Sequence, residues 1–95
     1  MFHHVALYRL KSGVTLDRVR QARESLAALA EQMPGLLHFG VVENLVSEPR
    51  GYTLALVAVF ESEKAFEIFR RHPVVEKALV RELAPVVEGS LTAQG

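Results

Sequence analysis

The chain reads as an α+β domain of the ferredoxin-like plan, β-α-β-β-α-β, with a four-stranded antiparallel sheet. Stretches with apolar residues at alternate positions are separated by segments whose apolar residues recur at steps of three and four, and breakers stand at the junctions. The stretch Tyr52 to Phe60 (YTLALVAVF) adds a second constraint, because it is apolar on both faces and both must be covered. Helices cover one face; in a chain of 95 residues the natural cover for the other is a second copy.

Phe2 to Leu10 opens as a strand, with Phe2, His4, Ala6, Tyr8 and Leu10 on one face and His3, Val5, Leu7 and Arg9 on the other. Lys11-Ser12-Gly13 breaks it. Thr15 caps a helix with Asp17 in its first turn, and Val19, Ala22, Leu26, Leu29 and Met33 form its apolar stripe. Pro34-Gly35 ends it. Leu36 to Leu45 is the second strand, with Gly40 as a bulge or close-approach point, and Ser47 to Gly51 is a turn. In the third strand Tyr52, Leu54, Leu56, Ala58 and Phe60 share one face, and Thr53, Ala55, Val57 and Val59 the other. Ser62 caps a helix to Arg71 with Ala65, Phe66 and Phe69 inward. His72-Pro73 breaks it, and a short helix follows with Val75, Ala78, Leu79 and Leu83 at helical spacing. Pro85 stops that helix, Val86 to Ala93 is the last strand, and Gln94-Gly95 is a loose end.

This order puts both helical segments on one side of the sheet. Residues 1–95 form one domain with one core. A chain of this size buries roughly 60–65% of its unfolded surface, so a lone subunit is only modestly stable. Hydrophobic residues make up 49% of the chain, which is high for a small domain with one covered sheet face. Covering about 500 Å² of the bare face is worth on the order of 10 kcal/mol per subunit before association costs. The expected partner is a second copy, joined sheet to sheet as a homodimer.

Composition excludes several function classes. The 11 basic and 11 acidic residues balance, and no basic stripe suggests nucleic acid. Arg18, Arg20 and Arg23 share a helix with Asp17, Glu24 and Glu31 and read as a solvated face rather than a phosphate site. There is no cysteine, so thiolate chemistry and disulfides are out. A signal peptide and a membrane span are not expected, since alternation begins at once and no apolar run nears ~20 residues. The expected location is the cytoplasm. The histidines lack metal-ligand spacing, and no Gly-rich phosphate loop or nucleophile elbow is present, so no metal and no cofactor is expected.

Few residues carry chemistry. His4 titrates near neutrality and suits a general base; the plainer reading is a core histidine held by one hydrogen bond. His72 at a helix end reads as a partner of C-terminal carbonyls. His3 and His38 read as structural or solvated. Tyr8 and Tyr52 are strand tyrosines able to offer a hydroxyl to a pocket, and Asn44 suits a turn or edge hydrogen bond.

These motifs resemble, in order and spacing, the stress-responsive A/B barrel (Dabb) family of dimeric α+β barrels. The matching residues are His4 in FHHVALYRL, Pro34-Gly35, Gly40 with Asn44, Gly51 to Val57, Phe60-Glu61-Ser62, His72-Pro73 and Pro85. The resemblance implies a homodimer whose sheets form a barrel with helices outside. One plant branch of the family performs a cofactor-free polyketide cyclisation with a tyrosine-histidine pair and a first-strand histidine. His4 matches the last, but Phe69, Val75 and Leu54 stand where that branch has a tyrosine and two further histidines. Proton abstraction by that pair is therefore lost. The expected function is that of a family member of unassigned activity, holding a small apolar or aromatic molecule in a pocket of Tyr8, Leu54, Phe66, Phe69, His72 and Val75 beside His4. The rival is a cofactor-independent cyclase-like or monooxygenase-like enzyme with His4 as base; a third possibility is a purely structural or regulatory dimer with no pocket.

Overall fold

Alternation of apolar side chains produces strands β1 (Phe2–Leu10), β2 (Leu36–Glu43), β3 (Tyr52–Phe60) and β4 (Val87–Gln94). Helical spacing produces α1 (Leu16–Ala30), α2 (Glu63–Arg71) and α3 (Pro73–Glu82). The computed structural model describes residues 1–46 and 50–95. The turn expected over Ser47 to Gly51 falls partly on residues 47–49, outside the described residues. The strands lie in the order β2-β3-β1-β4, and each described pairing is antiparallel.

Side chains close the helix starts. The Thr15 hydroxyl accepts from the Arg18 amide at 3.1 Å, and the Ser62 hydroxyl accepts from the Ala65 amide at 3.1 Å. His72 corrects its expected role. Only its backbone amide serves the end of α2, donating to the Phe69 carbonyl at 3.2 Å; the side chain turns the other way, where its Nδ1 accepts from the Val74 amide at 3.2 Å and caps the start of α3, with Pro73 at the first helical position. Only a ring nitrogen bearing a lone pair can do this. Helix α1 closes at Ala30, short of Met33, through single turns in which Gln32 and Met33 amides donate to Leu29 and Ala30 carbonyls. Gly35 follows with φ of +80°, and a Cβ there would stand 2.9 Å from the Ala65 Cβ. Glycine is required at this junction on both counts.

Register departs from uniform alternation at three places. Leu36 pairs with Phe60 and His38 with Val59, so the bulge is at Leu37 and not at Gly40, which pairs regularly with Val57. Nor is Gly40 a close-approach point, since the nearest atom to where its Cβ would be is the His38 Nε2 at 3.5 Å, an ordinary van der Waals contact. Tyr8 pairs with Leu54 but Arg9 with Tyr52, which skips Thr53 and turns Tyr52 to the opposite face from Leu54. There the Arg9 guanidinium lies 4.8 Å above the Tyr52 ring. In β4 the skipped residue is Glu88, between Leu10↔Val87 and Arg9↔Gly89. Strand β2 ends at Glu43, before the expected Leu45, and Asn44 ties its end by donating from Nδ2 to the Tyr52 carbonyl at 2.8 Å. Strand β4 runs to Gln94, which pairs with His4 and is no loose end.

The core lies between the sheet and the helices. Ala6, Val41, Leu54, Leu56, Ala58 and Phe60 pack there against Val19 and Phe66, and Leu26, Ala78 and Leu83 join α1 to α3. The opposite face has no helix on it. Two rows cross it, Val42-Ala55-Leu7-Leu91 and Gly40-Val57-Val5-Ala93, flanked by His38-Val59-His3. Val42 and Leu91 on this face are half exposed, at 50% and 54%.

One buried charge ties the helices together. Glu82 is 5% exposed. Its Oε1 lies 3.3 Å from the Arg18 Nη1, and its Oε2 lies 3.6 Å from the Arg81 Nε. Arg18 also donates to the Arg81 and Glu82 carbonyls. Removing one member leaves the carboxylate short of partners in a poorly solvated place. Arg18→Ala should therefore lower the unfolding free energy by about 2 kcal/mol in urea titrations. Arg81→Ala, which removes a side chain 63% exposed, should change it by no more than about 0.5 kcal/mol.

Candidate functional site

Residues of even number on β1, and on β3 from Leu54 onward, point toward the helices, and two near the middle of the sheet, Ala6 and Ala58, are small. Large side chains from α2 cannot fill the space above them completely. A cavity of about 170 Å³ results. The sheet contributes His4 and Tyr8 from β1, Phe39 from β2, and Leu56, Ala58 and Phe60 from β3. The helices contribute Leu26 and Leu29 from α1, Phe66, Phe69 and Arg70 from α2, and Val75 and Leu79 from α3. Gln94 of β4 completes the lining. Arg70, its side chain 55% exposed, and the exposed Gln94 mark where the cavity opens.

Aromatic contacts fix the walls. The Phe66 ring is 5.1 Å from Phe2, 5.3 Å from Phe60 and 5.1 Å from the His4 imidazole, which stacks on it at 25°. Phe69 lies 5.2 Å from Phe60. Such offset and edge contacts hold rings in place beyond what burial alone provides.

Two polar groups face this apolar surround. His4 Nδ1 is 3.0 Å from the Gln94 Oε1. An amide oxygen only accepts, so in this pairing His4 Nδ1 donates, and in the neutral imidazole Nε2 is the nitrogen left with the lone pair. Burial raises the Tyr8 phenol above its ordinary pKa of 10.0, so it stays a neutral donor across the physiological range. The site thus offers a lone pair and a phenolic hydroxyl within aromatic walls. That combination suits a molecule with an apolar body and one or two hydrogen-bonding groups.

Of the residues singled out from the sequence, His4, Tyr8, Phe66, Phe69 and Val75 meet in this cavity. Leu54 lies elsewhere, in a groove of about 410 Å³ beside Leu10, Val19, Arg20 and Arg23. His72 lines neither, because its ring is engaged at the start of α3. His3 Nδ1 pairs with the Gly95 carbonyl oxygen at 3.0 Å. Phe39, Arg70 and Gln94 were not singled out. Phe39 could have been found from its place on the second strand, but Gln94 depends on a cross-strand register that no local pattern encodes. Among the described residues, no three metal-ligating side chains gather into a site, and no helix is long and apolar enough to cross a membrane.

Solved structures share this architecture. A dimeric ferredoxin-like protein of unknown function from Thermobifida fusca is 29% identical, with a TM-score of 0.84 over 99% of this chain and 88% of its own. A hydroxynitrile lyase from Passiflora edulis is 19% identical, with a TM-score of 0.86 over 99% of this chain and 90% of that one. A cofactor-independent oxygenase from Streptomyces nogalater is 13% identical, with a TM-score of 0.80 over 99% and 89%. No curated protein matches the chain. At these identities the last two speak for the fold alone. The stress responsive A/B barrel domain model matches residues 2–93. With almost the whole length matched and the sheet, helices and strand order of that architecture in place, the chain belongs to the stress responsive A/B barrel domain family.

Proposed function

We propose that the protein is a homodimer with its open sheet faces pressed together, and that each subunit binds a single-ring aromatic molecule in the His4 cavity. The observation that carries the ligand class is the cavity itself, about 170 Å³ with walls of Phe39, Phe60, Phe66 and Phe69. A dry cavity of about 150 Å³ takes up benzene, so one ring fits within this one. A ring hydroxyl or carbonyl would find the His4 lone pair or the Tyr8 hydroxyl. The dimer is supported by the uncovered apolar rows around Val5, Leu7, Val57 and Leu91, and by the dimeric description of the Thermobifida fusca protein. A cytoplasmic location belongs to the same reading.

A second reading is favoured by the His4–Gln94 pair. An imidazole held by one nitrogen with the other free is the geometry of a general base, and a lyase and a cofactor-independent oxygenase share the fold. Under this reading the protein is a cofactor-independent catalyst, and His4→Ala abolishes turnover while leaving the dimer intact. Under the binding reading the same variant keeps its ligand with weakened affinity.

Thermal unfolding with p-cresol tests the ligand class. At 100 times its dissociation constant the ligand should add about 2.7 kcal/mol of stability. Val75→Phe, which fills the cavity, should remove that gain; equal shifts in both proteins would exclude this cavity. For assembly, Val57→Glu places a charge in the middle of the open face. Sedimentation at micromolar concentration should show a folded single subunit for the variant and a dimer for the parent, and a monomeric parent would defeat the proposal. Tyr8 supplies a pH test. Its pKa in the fold is raised, so its contribution is whole below about 10 and is lost as pH climbs through the folded value. Unfolding free energy should therefore fall between pH 9 and pH 11, by less in Tyr8→Phe.

A further inference from the structure

We propose a second binding site, separate from the His4 cavity, in the groove between the first half of α1 and the ends of β1, β2 and β3, for a small amphipathic monocarboxylate. The groove holds about 410 Å³, and its apolar members are Leu10, Leu16, Val19 and Leu54. Arg20, Arg23, Glu43, Asn44 and Thr53 complete its lining.

Arg23 is the residue that calls for an anion. The sequence suggests a solvated arginine face on α1, but the three arginines differ. Arg18 is committed to Glu82 and Arg20 lies 3.5 Å from Asp17, whereas Arg23 is in no ion pair among the described residues. Its Nε has almost no accessible surface and no acceptor reaches it among the described residues, so a ligand carboxylate would meet the guanidinium from its Nη side. A buried donor on a cation favours a charged acceptor above any other partner, and a carboxylate meets a guanidinium with two parallel bonds. Asn44 does not compete for that role, since its Nδ2 donates to the Tyr52 carbonyl and its Oδ1 accepts from the Val46 amide.

Charge and surface define the ligand further. With Arg20 paired to Asp17, the charges left in the lining are the Arg23 guanidinium and the Glu43 carboxylate; one guanidinium matches a monoanion, and a phosphate dianion would meet more repulsion from Glu43. The apolar members would cover a short hydrocarbon chain or a ring. The site stands independently of the His4 cavity, since the two share no lining residue.

The test is a titration of the full chain with octanoate, followed by 1H–15N and methyl NMR, with octan-1-ol as the uncharged control. Saturable shifts are expected at the Arg23 Nε–H and the Val19 and Leu54 methyls, with none of comparable affinity from octan-1-ol. Arg23→Gln should weaken octanoate by about tenfold or more. Glu43→Gln should tighten it, a direction that a folding defect does not produce. Equal affinity for acid and alcohol, shifts confined to Phe66 and its neighbours, or weakened binding in Glu43→Gln would each overturn the proposal.

Discussion

Strands β1 and β3 are the two central members of the sheet, and water is unfavourable on both of their faces. Everything else in the molecule follows from how each face is covered. On the helix side the cover comes from the chain itself, through the stripes of α1 and α3 and the Phe66-Phe69 face of α2. Phe60 and Ala58 are each 1% exposed, yet both border the cavity, where the helices do not reach down to the sheet. A cavity arises where a small residue on a strand faces a large one on a helix that cannot descend further without clashing with its neighbours. Gly35 limits α2 in the same way, since its turn already brings the backbone against Ala65. The cavity is thus a consequence of the packing geometry, and its contents are set by which side chains happen to reach it.

The other face has no such internal solution. Its two apolar rows have four members each across the sheet, and the outer positions, Val42 and Leu91, remain half exposed in the single subunit. Histidines occur only along one margin of these rows, at His38 and His3, and Arg9 is drawn onto Tyr52. An apolar centre with polar groups at its border is the arrangement of a surface built to be covered. For a domain of this size, covering that face would add a large fraction of its total stability.

Much of this was legible in the sequence because periodicity is a local property. The period-two pattern of Tyr52 to Phe60 is enough to define a strand and its two-sided demand, and Thr15 and Ser62 announce helix starts by their position before apolar stripes. Register was not legible. The bulges at Leu37, Thr53 and Glu88 each add one residue, and each reverses the faces beyond it. That is why Tyr52 stands with Arg9 and not with Leu54. It is also why Gln94, which looks like the end of a tail, stands opposite His4. His72 misled for a related reason, as a histidine between two helices can serve the carbonyls of one or the amides of the other, and only the conformation of the junction decides.

The chemistry of the cavity turns on what Gln94 does to His4. Stacking on Phe66 holds the plane of the ring, and the amide oxygen holds Nδ1, so the imidazole has neither freedom to turn nor freedom to exchange tautomers without losing a hydrogen bond. The Nε2 lone pair is then a fixed acceptor in a place whose other surfaces are almost all hydrocarbon. With Phe69 and Val75 beside it, no second side chain on α2 or α3 shares the work of moving a proton, and the Tyr8 phenol is held neutral by burial. A ligand of the proposed class, bearing its own acidic hydroxyl, would accept from Tyr8 or donate to His4. On the proposed reading the site would favour a phenol-like ring by hydrogen bonding as well as by shape, and a reaction there would begin from that donated proton.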